Sequence, residues 1–384
     1  MTSIDRRALL AGGGFAAVMA SDVFAQSAPP PKARAGRGAP REPDASARHR
    51  IRFAVIGLDH SHIYGMTDAL IRGGGTLVAM HAADPAQVAP FRRRYGDVKV
   101  ARSEAEILDD PTIQLVASAS IPDLRAPLGI RVMRAGKDFL ADKPGITGLK
   151  QLAAVRDAVR ETRRKFAILY SERFEVRAAV RAGELVKAGA IGQVLQTINL
   201  APHRLNAPSR PDWFWDTARY GGILTDIGSH QADQFLFYTG STEARVVASQ
   251  AGNMAMPDRP QFEDFGDMML SGNGGTGYVR VDWHTPDGLP TWGDGRLFII
   301  GTEGSIELRK YIDVAGRPGG NHLFLTDRKG VQYMDCSKVP LPFGPQFVSD
   351  VVERTDVAQD QAQALLAAEL VLTAQKNALR PGRV

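Results

Sequence analysis

The chain is short of sulfur for cross-linking: its 384 residues include one cysteine, Cys336. That excludes an intramolecular disulfide and any zinc site built on cysteine. It also lacks a charge excess in the part that would fold. The formal charge is +5, but residues 1–50 hold eight Lys/Arg against four Asp/Glu, leaving 39 basic and 38 acidic side chains for residues 51–384. A near-neutral folded part gives no footing for nucleic-acid binding. Long hydrophobic runs are missing too. The apolar stretch within residues 1–25 is too short and too weakly apolar for a membrane span.

What is present is an ordinary globular composition, 44% hydrophobic, and enough length for two domains after a leader. Residues 1–25 read as that leader: a charged start with Arg6 and Arg7, an apolar glycine-rich stretch, and a small-residue cleavage pattern at Val23-Phe24-Ala25. With Leu9 and Leu10 behind the arginines it resembles a twin-arginine signal. That implies export of a folded protein by the twin-arginine machinery into a bacterial periplasm. Residues 26–50 are rich in Pro, Ala and Arg and cannot form a core alone, so they read as an extended arm or spacer.

From 51 to about 168 strands alternate with helices. The pattern begins with the apolar run Ile51–Ile56 ending at Gly57, and further strands are expected at Thr76–Met80, Val98–Val100, Ile113–Ser118, Lys137–Ala141 and Phe166–Leu169. This alternation predicts a doubly wound parallel sheet, with ligands at the carboxyl ends of the strands. After Gly240 the sequence turns to alternating strands joined by short turns, which predicts a large, mostly antiparallel sheet with helices on one face. Helices at Gln346–Val351 and Ala358–Ala378 are expected to end the fold.

The chemistry concentrates in Tyr220–Asp233, YGGILTDIGSHQAD. If this stretch is helical, Asp226 and His230 share a face, and a carboxylate and an imidazole in one cavity can move a proton on and off a hydroxyl. The bland alternative is a capping Asp226 and a satisfied buried His230. The run Gly-Gly-x-x-x-Asp-x-Gly-x-His-x-x-Asp resembles the catalytic segment of the Gfo/Idh/MocA oxidoreductases. Asp142-Lys143-Pro144 is similar to that family's Glu-Lys-Pro motif, with Asp for Glu. Tyr170–Phe174 looks like its Tyr-Asn-x-Arg-Phe junction. The resemblance covers about residues 51–384. It implies a Rossmann-type dinucleotide-binding domain over 51–168 and an α+β substrate and oligomerisation domain over 169–384. It also implies hydride transfer between bound NAD or NADP and a sugar, cyclitol or related polyol, in a homodimer or homotetramer.

On that resemblance Lys143, Asp226 and His230 are catalytic, and Lys143-Pro144 is cis. Gly57, Asp59, His60, His62, Asp84, Lys143 and Pro144 face the cofactor, and Tyr170, Arg173, His203, Trp213, Trp215 and Asp233 face the substrate. The dinucleotide fingerprint Gly-x-Gly-x-x-Gly falls on positions 57, 59 and 62, where only Gly57 is glycine. A carboxylate at 59 would repel a pyrophosphate by about 4 kcal/mol at 4 Å and an effective dielectric near 20. Asp84 stands two residues past the expected ribose-gripping position, and equally reads as a turn residue.

Asp59, His60 and His62, with His81 at the end of the second strand, place three imidazoles and a carboxylate at one sheet edge. Sugar or cofactor contact is the first reading there, a divalent metal the second, and plain helix capping by Asp59 the third. Two further functions stay open: a non-redox lyase, hydrolase or epimerase on the same scaffold, and a sugar-binding protein without catalysis.

Overall fold

A computed structural model of the chain describes residues 42–381. The leader and the first part of the Pro/Arg-rich arm lie outside the described residues. Six strands, β1 (Ile51–Ile56), β2 (Gly75–His81), β3 (Lys99–Val100), β4 (Leu115–Ser118), β5 (Asp138–Asp142) and β6 (Phe166–Leu169), form a parallel sheet in the order β3-β2-β1-β4-β5-β6. They alternate with α1 (His62–Arg72), α2 (Val88–Tyr95), α3 (Glu104–Leu108), α4 (Pro122–Arg134) and α5 (Leu149–Thr162). Strands β4, β5 and β6 are buried at every residue, as expected of a sheet with helices on both faces. The strand order reverses between β1 and β4, which opens a crevice at their carboxyl ends.

Beyond α6 (Ser171–Phe174) and α7 (Arg177–Lys187) the chain enters β7 (Val194–Pro202), then the short helices α8 (Thr217–Tyr220) and α9 (Ile223–Asp226) and the longer α10 (Gly228–Thr239). Seven strands follow: β8 (Ala244–Gly252), β9 (Phe265–Gly272), β10 (Gly275–Asp282), β11 (Arg296–Gly301), β12 (Gly304–Arg309), β13 (His322–Asp327) and β14 (Gly330–Asp335). With β7 they make an eight-stranded sheet, β14-β13-β12-β11-β7-β10-β9-β8, in which the β7–β10 pair is parallel and the other pairs antiparallel. Strand β14 was not expected from sequence. Five of its six residues are exposed, so it lacks the half-buried alternation that marks the others.

Two closing helices tie the sheets together. Helix α11 (Phe343–Glu353) packs on α1, and α12 (Gln361–Asn377) packs on α5 and β6 as well as on α9, α10 and β8. One apolar core consequently runs from Phe53 and Phe166 through Val371 to Phe235 and Met268. The segment 220–233 is not one helix. Helix α9 ends at Asp226 and α10 begins at Gly228, with Ile227 between them in helical backbone (φ −85°, ψ −47°), and Asp226 and His230 both line one cavity.

Candidate active site

The carboxyl ends of the parallel strands deliver the first wall. After β1, Gly57 has φ of +80°, and a Cβ there would lie 2.5 Å from Cβ of Ser120; only glycine fits. The loop is then pinned to its neighbours. The Gly57 amide donates to His81 O (2.9 Å), that of His60 to Ala119 O (2.9 Å), and that of Ala119 to Gly57 O (3.2 Å). The amides of Asp59, Ser61 and His62 have no acceptor among the described residues. Unpaired amides at the start of a helix suit an anion.

Asp142, at the end of β5, is a hub. It is 1% exposed, and its two oxygens take His60 Nδ1 and His62 Nδ1, each at 2.9 Å. Arg125, equally buried, adds an ion pair from Nη2 at 3.1 Å. The same guanidinium donates to the carbonyls of Ser120, Asp142, Lys143 and Pro144 and so holds the Asp-Lys-Pro turn, whose Lys143–Pro144 bond is cis. Burial alone would raise the Asp142 carboxyl, but His62, Arg125 and His60 outweigh it and keep the group well below the usual carboxylate range. His60 is driven the other way. Burial, then His62, lowers it to about 4.

The next residue, Lys143, donates to Oδ1 of Asp226 at 2.9 Å, and both groups are nearly buried. Against the desolvation that would raise it, Lys143 holds Asp226 low and ionised. His230, on the first turn of α10, is 2% exposed. Burial pushes its imidazole down to about 3, and its Nδ1 has no partner among the described residues. Beneath it lies a second buried pair, Lys310 Nζ to Glu172 at 2.6 Å, with Gln231 donating to the same Glu172 oxygen at 3.1 Å.

The second sheet closes the site. Its one parallel pair points two strand ends at the same place: His203 follows β7 and Trp283 follows β10, joined by the His203 amide on Asp282 O at 2.8 Å. The result is a cavity of about 320 Å³ lined by Lys143, Glu172, Arg210 and Asp226, by four of the eight histidines (His60, His62, His203, His230) and by three of the four tryptophans (Trp213, Trp283, Trp292). Imidazoles, one ammonium and aromatic faces around a small volume suit a polyhydroxylated ligand.

Residues 179–307 match the GFO/IDH/MocA C-terminal domain model. A crystal structure of a protein assigned to the oxidoreductases from Erwinia carotovora atroseptica SCRI1043 superposes with a TM-score of 0.84 at 48% identity, covering 87% of this chain and 100% of that one. The chain belongs to the Gfo/Idh/MocA family of oxidoreductases. Among curated relatives it is 24% identical over 265 residues to scyllo-inositol 2-dehydrogenase (NAD(+)) of Bacillus subtilis (strain 168), covering 67% of this chain and 73% of that protein. A levoglucosan dehydrogenase solved with NADH and levoglucosan shares the fold at 20% identity and a TM-score of 0.69, over 86% of this chain and 98% of that one.

Not every residue expected at this Gfo/Idh/MocA site reaches it. Lys143, Asp226, His230, His60, His62, His203 and Trp213 line the cavity. Tyr170, Arg173, Trp215 and Asp233 do not. Arg173 and Asp233 form a buried bidentate pair (2.6 and 2.8 Å) that satisfies both charges internally. The Tyr170 hydroxyl donates to Ala364 O at 3.2 Å, and Trp215 packs on Phe214 and Phe262 under the Arg259 guanidinium. Asp84 is exposed and caps the turn that follows it by accepting from the Ala86 amide at 2.9 Å.

The four-residue cluster expected from Asp59, His60, His62 and His81 is also different. Asp59 is drawn to Gln87 Nε2 (3.2 Å) and His81 to Ala101 O (3.0 Å), and the carboxylate that joins His60 and His62 is Asp142. Sequence reasoning missed Arg125 and the roles of Glu172 and Lys310. Arg125 sits in the first turn of α4 between Leu124 and Ala126, and no motif marks it as a buried partner of Asp142. Glu172 stands within the Tyr170–Phe174 motif, where its position beside Arg173 was the available signal.

Proposed function

We propose that the protein is an NAD(P)-dependent oxidoreductase interconverting a CH–OH group and a carbonyl on a sugar, cyclitol or related polyol. The observation that carries this reading is the Lys143–Asp226 pair and the neutral, buried His230 on one cavity, beside the crevice between β1 and β4. The dinucleotide fits the residues present in part. Gly57 makes the tight turn, the amides of Asp59, Ser61 and His62 suit a pyrophosphate, and Lys143, lining the cavity, would face the nicotinamide and the substrate. Asp59 is turned toward Gln87, which draws its charge off the loop. The activities named for the Bacillus subtilis relative and the levoglucosan dehydrogenase give the substrate class and the cofactor.

In the oxidative direction His230 removes the hydroxyl proton. Burial keeps its imidazole unprotonated at neutral pH, so it is in the form that can accept a proton. Lys143 has three N–H donors and spends one on Asp226, so others remain for the same substrate oxygen. Asp226 fixes the ammonium; it makes no hydrogen bond to His230 among the described residues, and its role is to orient Lys143. Bound NAD(P) supplies the acceptor for the hydride leaving that carbon. Trp213, Trp283 and Trp292 give the apolar face of the sugar its platform.

The leader adds export by the twin-arginine route to the periplasm, where a dinucleotide would have to stay bound between turnovers. Exposed Val247, Met269 and Val331 on the large sheet support a homodimer or homotetramer.

The test is to purify the protein gently, denature it and measure released dinucleotide, then to assay inositols and anhydrosugars with added NAD+ or NADP+. Retained or re-bound dinucleotide with turnover is expected. Absence of both would overturn the reading and leave acid–base chemistry at His230 and Lys143 without hydride transfer.

A further inference from the structure

The pairing of two histidines on one buried carboxylate has a chemical consequence. Asp142 is ionised beside Arg125 and can only accept hydrogen bonds. Each Nδ1 that it holds at 2.9 Å must therefore carry the hydrogen. With Nδ1 donating, Nε2, on the side of the ring away from Asp142, is the one nitrogen of each ring that can offer a lone pair. Neither Nε2 has a hydrogen-bond partner among the described residues. The two rings lie with centroids 4.1 Å apart, and both line the cavity with Lys143 and His230. Imidazoles that donate one nitrogen to a carboxylate and present the other to a cavity are the usual arrangement around a bound metal ion. Neither catalytic proton transfer nor hydride transfer as described above uses these lone pairs.

We propose that His60 and His62 bind a divalent, nitrogen-preferring metal ion of the zinc class, with Asp142 as the residue that orients both rings. Zinc-class ions take four ligands in tetrahedral sites. Two imidazoles leave two positions for oxygen, which matches the adjacent hydroxyls of a polyol. The ion then selects substrates that chelate through neighbouring oxygens and polarises one of those oxygens beside Lys143. The proposal concerns the cavity described above but does not depend on its redox role, because metal binding is read without dinucleotide or substrate.

The experiment uses the full mature chain, stripped with a chelator and titrated with Co2+ and Zn2+ alone. Cobalt is followed by its visible absorption and zinc by calorimetry. One equivalent per chain is expected, with a cobalt spectrum showing nitrogen ligation. His62→Ala, a change at a side chain 40% exposed that leaves the core intact, should abolish the signal, as should His60→Ala. Asp142→Asn should weaken binding by ten- to a hundredfold; if that variant does not fold, the two histidine variants decide the matter. No saturable cobalt signal in the parent protein overturns the site, as does binding unchanged in both histidine variants. A change in substrate preference from isolated to neighbouring hydroxyls on zinc loading, lost in His62→Ala, would extend the site to substrate selection.

Discussion

Replacing Lys143 by methionine separates the two roles of its ion pair with Asp226. The charges are 2.9 Å apart and 6% and 13% exposed, and their attraction is about 6 kcal/mol at an effective dielectric near 20. Much of that is offset by desolvation. Breaking a buried pair from one side costs about 3–5 kcal/mol, because the other charge is left stranded. With 340 described residues and about 2.1 cal/mol/K of unfolding entropy per residue, this lowers Tm by roughly 4–7 °C.

Activity should fall further than stability does. Loss of the donor to the substrate oxygen and of the local positive charge is expected to reduce kcat by about a hundred- to a ten-thousandfold. The double variant Lys143→Met with Asp226→Asn removes the stranded charge, so it should regain most of the Tm while turnover stays lost. Calorimetry and steady-state kinetics on the three proteins decide the matter. Turnover within tenfold of the parent in Lys143→Met, or recovered in the double variant, would refute the assignment of Lys143 to the chemistry and leave it a structural ion pair.

Other outcomes follow from the same geometry. Arg173→Ala strands Asp233, 0% exposed, and should cost about 3–5 kcal/mol in chemical denaturation while leaving KM unchanged, since neither residue lines the cavity. Gly57→Ala puts a Cβ 2.5 Å from Ser120 Cβ at φ of +80° and should cost about 2–4 kcal/mol, with dinucleotide affinity falling alongside. His230 contributes a pH dependence of known sign. Its unfolded form protonates near 6.5 and its buried form near 3, so between these values the unfolded state holds more protons and stability rises with pH. The slope is about 1.4 kcal/mol per unit, or about 2 kcal/mol between pH 6.5 and 5. The corresponding loss should be absent in His230→Gln, and the acid limb of kcat/KM should lie well below pH 6.

Periodicity made the architecture legible, because β4 and β6 read as short apolar stretches and β5 has an apolar centre between Asp138 and Asp142, while the strands of the second sheet alternate. It failed at β14, where exposure leaves no pattern, and at 220–233, where the division into α9 and α10 hides behind a helix-like spacing. At the site, Lys143, Asp226 and His230 were visible as motif residues with chemistry to do. Arg173 and Asp233 were visible in the same way and proved to be partners of one another. A sequence does not say whether an arginine will meet a ligand or a carboxylate sixty residues away, since the hydrogen-bonding demand is the same in both cases.

The chain departs from the family pattern in two motifs, with Asp59 and His62 in place of fingerprint glycines and Asp142 in place of the glutamate of Glu-Lys-Pro. In the structure His62 and Asp142 belong to one assembly. A carboxylate that must accept two imidazoles from one loop and a guanidinium from α4, while its own backbone carbonyl is held by that same guanidinium, has to stay close to the strand end. Aspartate does this with one methylene, whereas glutamate would carry the carboxylate further into the cavity. Asp142→Glu should therefore disturb His60 and His62 while leaving charge unchanged, and a Gly-x-Gly-x-x-Gly loop restored by Asp59→Gly and His62→Gly should leave Asp142 short of a partner. The substitutions are best understood as interdependent, with a histidine-lined wall built where the family fingerprint has bare backbone.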